Sequence, residues 1–214
     1  MIVPTMTTHE LVKEVLEDYE SVRTKANYLI ETLRRPAIKA KNKYATKIFE
    51  YTSPKKNLWL IFAEHFVKKT ICIYVVRFEG DKGLNAIMIN MNQTLNHYTG
   101  HFFSRYNERY LNKRDVYGND LITTFIRKNP ASATKIIGKD DNGNDRFFSK
   151  LEEGIGLGYA ENVGVVRVFK FKTFIADQML FQTQAEENKK MTAVYENYLK
   201  EIYEFKLKKM REDE

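Results

Sequence analysis

One cysteine, four prolines and ten glycines in 214 residues set the first limits on this chain. A lone thiol, Cys72, excludes an internal disulfide framework and a cysteine-based zinc site. So little glycine and proline excludes collagen-like and low-complexity architecture. Apolar runs such as Leu58–Ala63 are far too short to cross a bilayer. Met1–Met6 is short and uncharged ahead of a polar helix, so it does not read as a signal peptide. What is present is a core-forming supply of apolar residues, 43% with aromatics at 13%, which excludes a disordered chain. These limits point to a soluble, cytoplasmic, basic α+β protein, with residues 1–214 in a single domain.

Basic residues number 35 and acidic ones 28, a formal charge of +7. The excess is not spread evenly. His9–Arg35 carries five basic and six acidic residues, and Thr183–Glu214 carries seven and eight. The middle, Pro36–Gln182, therefore holds 23 basic against 14 acidic, a surplus of +9. Eight of those basic residues lie between Lys39 and Lys69, opposed by Glu50 and Glu64. A concentrated basic surface attracts polyanions, either a nucleic acid or an acidic protein. Lys55, Lys56, Lys68 and Lys69 are the candidate nucleic-acid contacts in this stretch, joined by Lys172 further on. The competing reading is a lysine-rich solubilising surface, because arginine is the residue expected for bidentate phosphate contacts. Phe49, Tyr51, Trp59, Phe62 and Phe66 interleave with these lysines. Exposed, they would stack on single-stranded bases; on strands, the default is the core.

Thr7-Thr8-His9-Glu10 fits a capping box, and apolar residues recur with helical spacing from Leu11 to Leu33. The pattern predicts a helix over 7–35, stopped by Pro36. A basic α+β core then covers 40–182. Tyr44–Tyr51, Leu58–Phe62, Thr70–Phe78 and Leu84–Asn90 read as strands of an antiparallel meander. The continuous run Ile71–Val76 suggests a strand covered on both faces, and Cys72 within it reads as a packing residue. Thr99–Asn112 and Asp120–Lys128 read as helices, and Lys139–Gly143 as a polar turn. Ile155–Ala160 and Val165–Ile175 read as a hairpin across Glu161–Gly164. A long C-terminal helix over 183–212 follows. The expected fold is α+β: an antiparallel sheet, meander plus C-terminal hairpin, with helices packed on one face.

Thr99–Tyr110 carries the densest chemistry. On a helix at about 100° per residue, with His101 at zero, Arg105 falls near ~40°, Glu108 near ~−20° and Arg109 near ~80°. Phe102, Phe103, Tyr106 and Tyr110 fall on the opposite, buried side. One face thus gathers an imidazole, two guanidiniums and a carboxylate. Those groups suit RNA cleavage without a metal or other cofactor. The ribose 2′-hydroxyl attacks its phosphate, a histidine moves the proton, and cations stabilise the phosphorane oxygens. A solvated face whose Arg and Glu pair in water is the plain alternative.

The helix His101-x-x-x-Arg105-x-x-Glu108-Arg109, followed by a glycine-containing hairpin whose last strand carries Lys172-Thr173-Phe174, resembles the barnase–EndoU–colicin–RelE-like superfamily. The likeness covers at most residues 70–182. It implies a metal-independent, toxin-type ribonuclease with His101 as acid/base and Arg105 and Arg109 on phosphate. Glu108 and Thr173 would be positioning groups, RNA rather than DNA the target, and an acidic antitoxin a partner. A binding or scaffold protein is the alternative, with a basic docking surface and a C-terminal helix that self-associates. A third reading is a metal hydrolase. His97 and His101 stand four apart, although Tyr98 occupies the position where a metalloprotease helix has glutamate. Gly154-x-Gly156-x-Gly158 lacks a following helix and reads as a glycine-softened strand, not a phosphate loop.

Overall fold

The computed structural model describes residues 1–41, 44–66, 69–80, 82–90, 94–112 and 115–211, without the side chains of 205–211. In chain order these form α1 (Thr8–Lys39), β1 (Tyr44–Thr52), β2 (Leu58–Phe66), β3 (Lys69–Gly80), β4 (Gly83–Ile89) and β5 (Thr94–Tyr98). Then come α2 (Gly100–Tyr106), a π-helical turn (Asn107–Leu111), α3 (Gly118–Lys128), β6 (Ala133–Lys139) and β7 (Asp145–Leu151). β8 (Gly154–Val163), β9 (Val166–Ala176), a 3-10 turn (Asp177–Met179) and α4 (Gln182–Arg211) complete the chain. None of the described helices is long and apolar enough to cross a membrane.

The nine strands make one sheet in the order β1-β2-β3-β4-β5-β9-β8-β7-β6. It consists of two antiparallel meanders, β1–β5 and β6–β9, joined by the parallel pair β5–β9. The α+β class, the largely antiparallel sheet and the long C-terminal helix agree with the sequence reading. The expected C-terminal hairpin is larger: it is the last half of a four-stranded meander. β6 escaped notice because all of it beyond Ala133 is exposed, so Thr134–Lys139 has no alternation to detect. In β7, the adjacent Phe147 and Phe148 are both buried, one on each face.

Helices cover both faces, which corrects the expectation of one. Val75 packs with α2 and α3 in a cluster built on Phe102, Phe103, Tyr106, Phe125, Phe171 and Phe174. Its neighbour Val76 packs on the other face with Val15, Val22 and Trp59 beneath α1. Phe49, Trp59, Phe62 and Phe66 are buried, so stacking on bases is excluded for them. Cys72 is half-buried, and desolvation raises its thiol pKa.

α1 opens with the expected capping box: Thr7 N donates to Glu10 Oε2 at 2.8 Å, and Glu10 N donates to Thr7 Oγ1 at 3.3 Å. Pro36 does not end it; the helix runs on to Lys39. Proline removes the hydrogen bond to the Thr32 carbonyl, but Thr32 and Pro36 lie on the exposed face, where water satisfies that carbonyl. Midway along α1, buried Asp18 accepts from Ser53 Oγ (2.6 Å), Asn57 Nδ2 (2.8 Å) and Trp59 Nε1 (2.8 Å). This one carboxylate ties the helix to the β1–β2 turn and the strand after it.

The spaced glycines of β8 serve packing. A Cβ on Gly156 would meet the Phe171 ring, one on Gly154 the Ile175 carbonyl and the Phe174 ring, and one on Gly158 the Lys170 carbonyl of the paired strand. A Cβ on Gly156 would sit 2.6 Å from the Phe171 ring. Gly156→Ala is expected to lower stability by about 3 kcal/mol through overpacking, read from denaturant unfolding. An unchanged midpoint would show that the ring moves freely.

Candidate functional site

β5, at five residues, is the shortest strand of the sheet, and both neighbours outrun it. Pairing ends at Ala86↔Tyr98 on one side and Tyr98↔Phe171 on the other. Beyond that point the start of β4 and the end of β9 leave a notch. Thr99 turns the chain into it: Thr99 N and Oγ1 both donate to Phe171 O, at 3.2 and 2.9 Å. Phe102 N then donates to Thr99 Oγ1 at 3.3 Å and starts α2. Gly100 sits against the backbone of Lys82 and Gly83; a Cβ there would be 2.8 Å from Gly83 C.

The notch holds a cavity of about 330 Å³, and a second of about 670 Å³ adjoins it, sharing Lys82 and Gly100. Lys82, Asn85, His97, His101, Lys170 and Lys172 line the smaller one, against apolar walls of Pro4, Met6, Leu11 and Phe78. No carboxylate is among its described lining residues. Several cations elsewhere are paired: Lys55 with Glu14 and Glu17, Lys135 with Glu187, Lys150 with Asp177, Arg167 with Asp145. Among the described residues, Lys82, Lys170 and Lys172 have no such partner. Lys170 and Lys172 instead lie 5.9 and 5.4 Å from the Tyr159 ring centroid, in cation–π range.

Crowded positive charge and burial act together on the titrating groups. Desolvation, then Lys170 and Lys82, hold the Lys172 ammonium below the usual lysine range, against the opposing pull of Glu161. His101 is lowered by desolvation, then by Arg105, Lys82 and Arg109, with Glu108 opposing. It is therefore neutral at pH 7. Burial, then Lys170 and Lys172, pull His97 down to about 3. His97 Nε2 lies 3.2 Å from Asn85 Oδ1, and Asn85 Nδ2 donates to Gly83 O at 2.8 Å.

The His97 shift couples to stability. Its unfolded-state pKa is near ~6.5 and its folded value about 3. Between these, the unfolded chain takes up a proton that the folded one refuses, so stability falls as pH drops from 6.5 towards 3. At pH 4.5 the loss relative to pH 7 is about 3 kcal/mol from this group. Urea unfolding at both values should show a loss smaller by that amount in His97→Phe. Equal pH dependence in the two proteins would contradict the shift.

His101 and Lys172 thus meet in one notch. The other sequence candidates are placed differently. Arg105 is not among the described residues lining the notch and donates to Glu108 Oε2 at 2.7 Å, Glu108 lining the larger cavity. Arg109 donates to Phe174 O at 2.7 Å, clamping the π-helical turn to β9. That turn changes the helical phase, so Tyr110, expected in the buried stripe, is 40% exposed. Thr173 follows Lys172 at a register shift that leaves Phe171 and Phe174, three apart, on one face. It is half-buried and is not among the described cavity-lining residues. Lys55 is held by α1 carboxylates at 3.1 and 2.7 Å. Lys56 is exposed in the β1–β2 turn, at the same end of the sheet as the β3–β4 turn. Lys69 lies at the far end of β2, about 30 Å away by strand rise. Lys68 lies outside the described residues.

Lys82, Lys170 and Asn85 carry no signal of their own in the sequence. The β5–β9 pairing, which sets His97 opposite Lys170, is what assembles them. His97 stands on a strand and His101 on a helix, so the two do not form the one-turn pair of a metal-binding helix. No group of three or more potential metal ligands occurs among the described residues. Comparison of the chain with family models, with curated proteins and with solved structures gives no match.

Proposed function

We propose that the notch binds the phosphodiester backbone of RNA and cleaves it without a metal. The supporting observation is the convergence of Lys82, Lys170, Lys172 and His101 on one cavity with no carboxylate among its described lining residues. Cations gathered at one cavity attract a polyanion more strongly than the same charges spread over a surface. In the proposed step, neutral His101 takes the proton of the ribose 2′-hydroxyl. The 2′-oxygen bonds to phosphorus as the P–O5′ bond breaks, and the Lys172 ammonium gives its proton to the leaving 5′-oxygen. The products are a 2′,3′-cyclic phosphate and a 5′-hydroxyl. Lys82 and Lys170 hold the non-bridging oxygens, where negative charge builds. Arg105, one helical turn after His101, has a solvent-exposed partner, and an anion competes readily with such a pair. Arg109 and Thr173 position α2 and the end of β9. Incubation of labelled RNA with the protein in EDTA, with analysis of product ends, tests this. Cyclic-phosphate ends are expected; RNA left intact at every salt concentration overturns it.

The pH profile carries a second expectation. Because desolvation and then the neighbouring cations lower His101, the acid limb of cleavage should lie below the ordinary histidine value of about 6.5. Removing positive charge with Arg105→Gln should move that limb to higher pH. A limb that stays in place would remove His101 as the titrating base.

α4 supports a second reading, self-association. Its Val194 and Tyr198, one turn apart, are 54% and 48% exposed. Sizing of the full chain against Val194→Lys would decide it: a monomer in both cases overturns the reading.

A further inference from the structure

Among the described residues lining the notch, His97 combines near-complete burial with a polar atom lacking a partner. Its residue is 4% exposed, and no hydrogen-bond partner reaches its Nδ1. The surrounding bonds fix what that atom is. Asn85 Nδ2 is committed to Gly83 O, so the Asn85 amide turns Oδ1 towards His97 Nε2. An amide oxygen only accepts, so Nε2 carries the ring hydrogen and Nδ1 presents a bare lone pair. Phe78, with ring centroids 5.7 Å apart, packs on the imidazole and holds its orientation. Thr99 Oγ1, the one hydroxyl among the described lining residues, already donates to Phe171 O. A buried acceptor without a donor is unfavourable unless a ligand completes it.

Lys170 pairs with His97 across the β5–β9 register, and Lys172 and Lys82 line the same cavity. The missing donor is therefore a hydroxyl carried beside an anion. In a nucleic acid, that describes the ribose 2′-hydroxyl next to its phosphate. Building on the RNA reading above, we infer that His97 Nδ1 receives the 2′-hydroxyl hydrogen of the nucleotide beside the scissile one, whose own 2′-hydroxyl faces His101, and is the residue that distinguishes RNA from DNA. The role is one of binding and positioning; His101 remains the proton acceptor of the chemical step. The Asn85–Gly83 relay serves to hold the imidazole in the accepting tautomer.

The test compares three oligonucleotides of one sequence: RNA, DNA and 2′-O-methyl RNA. Binding is measured by fluorescence anisotropy in EDTA, with His101→Ala protein so that the RNA stays intact. RNA is expected to bind about tenfold tighter than either analogue, the worth of one hydrogen bond in a desolvated site. The 2′-O-methyl strand keeps the RNA sugar shape and lacks the donor, so its weak binding separates hydrogen bonding from shape. Adding His97→Phe should lower RNA affinity to that of the two analogues and leave theirs unchanged. Adding Lys172→Gln should weaken all three alike. Equal binding of RNA and 2′-O-methyl RNA by the parent protein, or a preference that survives His97→Phe, overturns the inference while leaving the phosphate site standing. No binding of any strand overturns the underlying RNA reading as well. The comparison of strands on one protein holds even where His97→Phe fails to fold.

Discussion

His101→Ala should lower RNA cleavage by about 100- to 10,000-fold and change RNA affinity by only a few-fold. That range is the usual contribution of one positioned acid or base. The separation of rate from affinity follows from the geometry. His101 is exposed at the edge of the notch on the first turn of α2, whereas Lys82, Lys170 and Lys172 supply the charge that holds a phosphate. Its low pKa makes it neutral at pH 7, so removing it deletes a proton acceptor and not a cation. Lys172→Gln is the contrasting case: it should reduce both affinity and rate, because Lys172 both contacts phosphate and donates the leaving-group proton. A His101→Ala protein that cleaves as well as the parent would assign the observed activity to another group.

Asp18→Ala should destabilise the fold by about 2–4 kcal/mol, the cost of leaving buried neutral donors unmet. Asp18 is 1% exposed and is the shared acceptor of Ser53, Asn57 and Trp59. The indole of Trp59, also 1% exposed, would lose the carboxylate that its N–H meets. An unmet buried donor keeps its full desolvation penalty. Asn57 also supplies Oδ1 to Ile2 N at 2.7 Å, so the loss extends to the N-terminal segment. That segment contributes Pro4 and Met6 to the notch wall, and cleavage should fall together with stability in this variant. Asp18→Asn, which retains one acceptor oxygen, should lose less. Chemical denaturation measures both; equal midpoints for Asp18→Ala and the parent would show that α1 docks without this anchor.

The first meander was legible because its strands are aromatic and β-branched runs cut by Ser53-Pro54 and by Gly80 and Gly83. Ile71–Val76 was continuously apolar because Val75 and Val76 enter two cores. That run already carried the sign of helices on both faces. β6 was not legible, since an exposed edge strand lacks the contrast that alternation needs. Pro36 misled because the carbonyl it orphans is solvated. For the site, His101 stood out in its local sequence, but its companions did not. Lys170 and His97 are 73 positions apart, and only the parallel β5–β9 register brings them side by side. The lysine-rich run from Lys39 to Lys69 looked like one patch in sequence. The antiparallel course of β2 and β3 sends Lys56 and Lys69 to opposite ends of the sheet.

The most direct measurement is the salt dependence of RNA binding in EDTA, for His101→Ala protein with and without Lys82→Gln, Lys170→Gln and Lys172→Gln together. With three phosphate contacts removed, the slope of log affinity against log salt should shrink by about 2. Lys55→Gln, at a lysine already held by Glu14 and Glu17, should leave the slope unchanged. Equal slopes with and without the three notch lysines would place any RNA contact elsewhere and contradict the notch as the phosphate site.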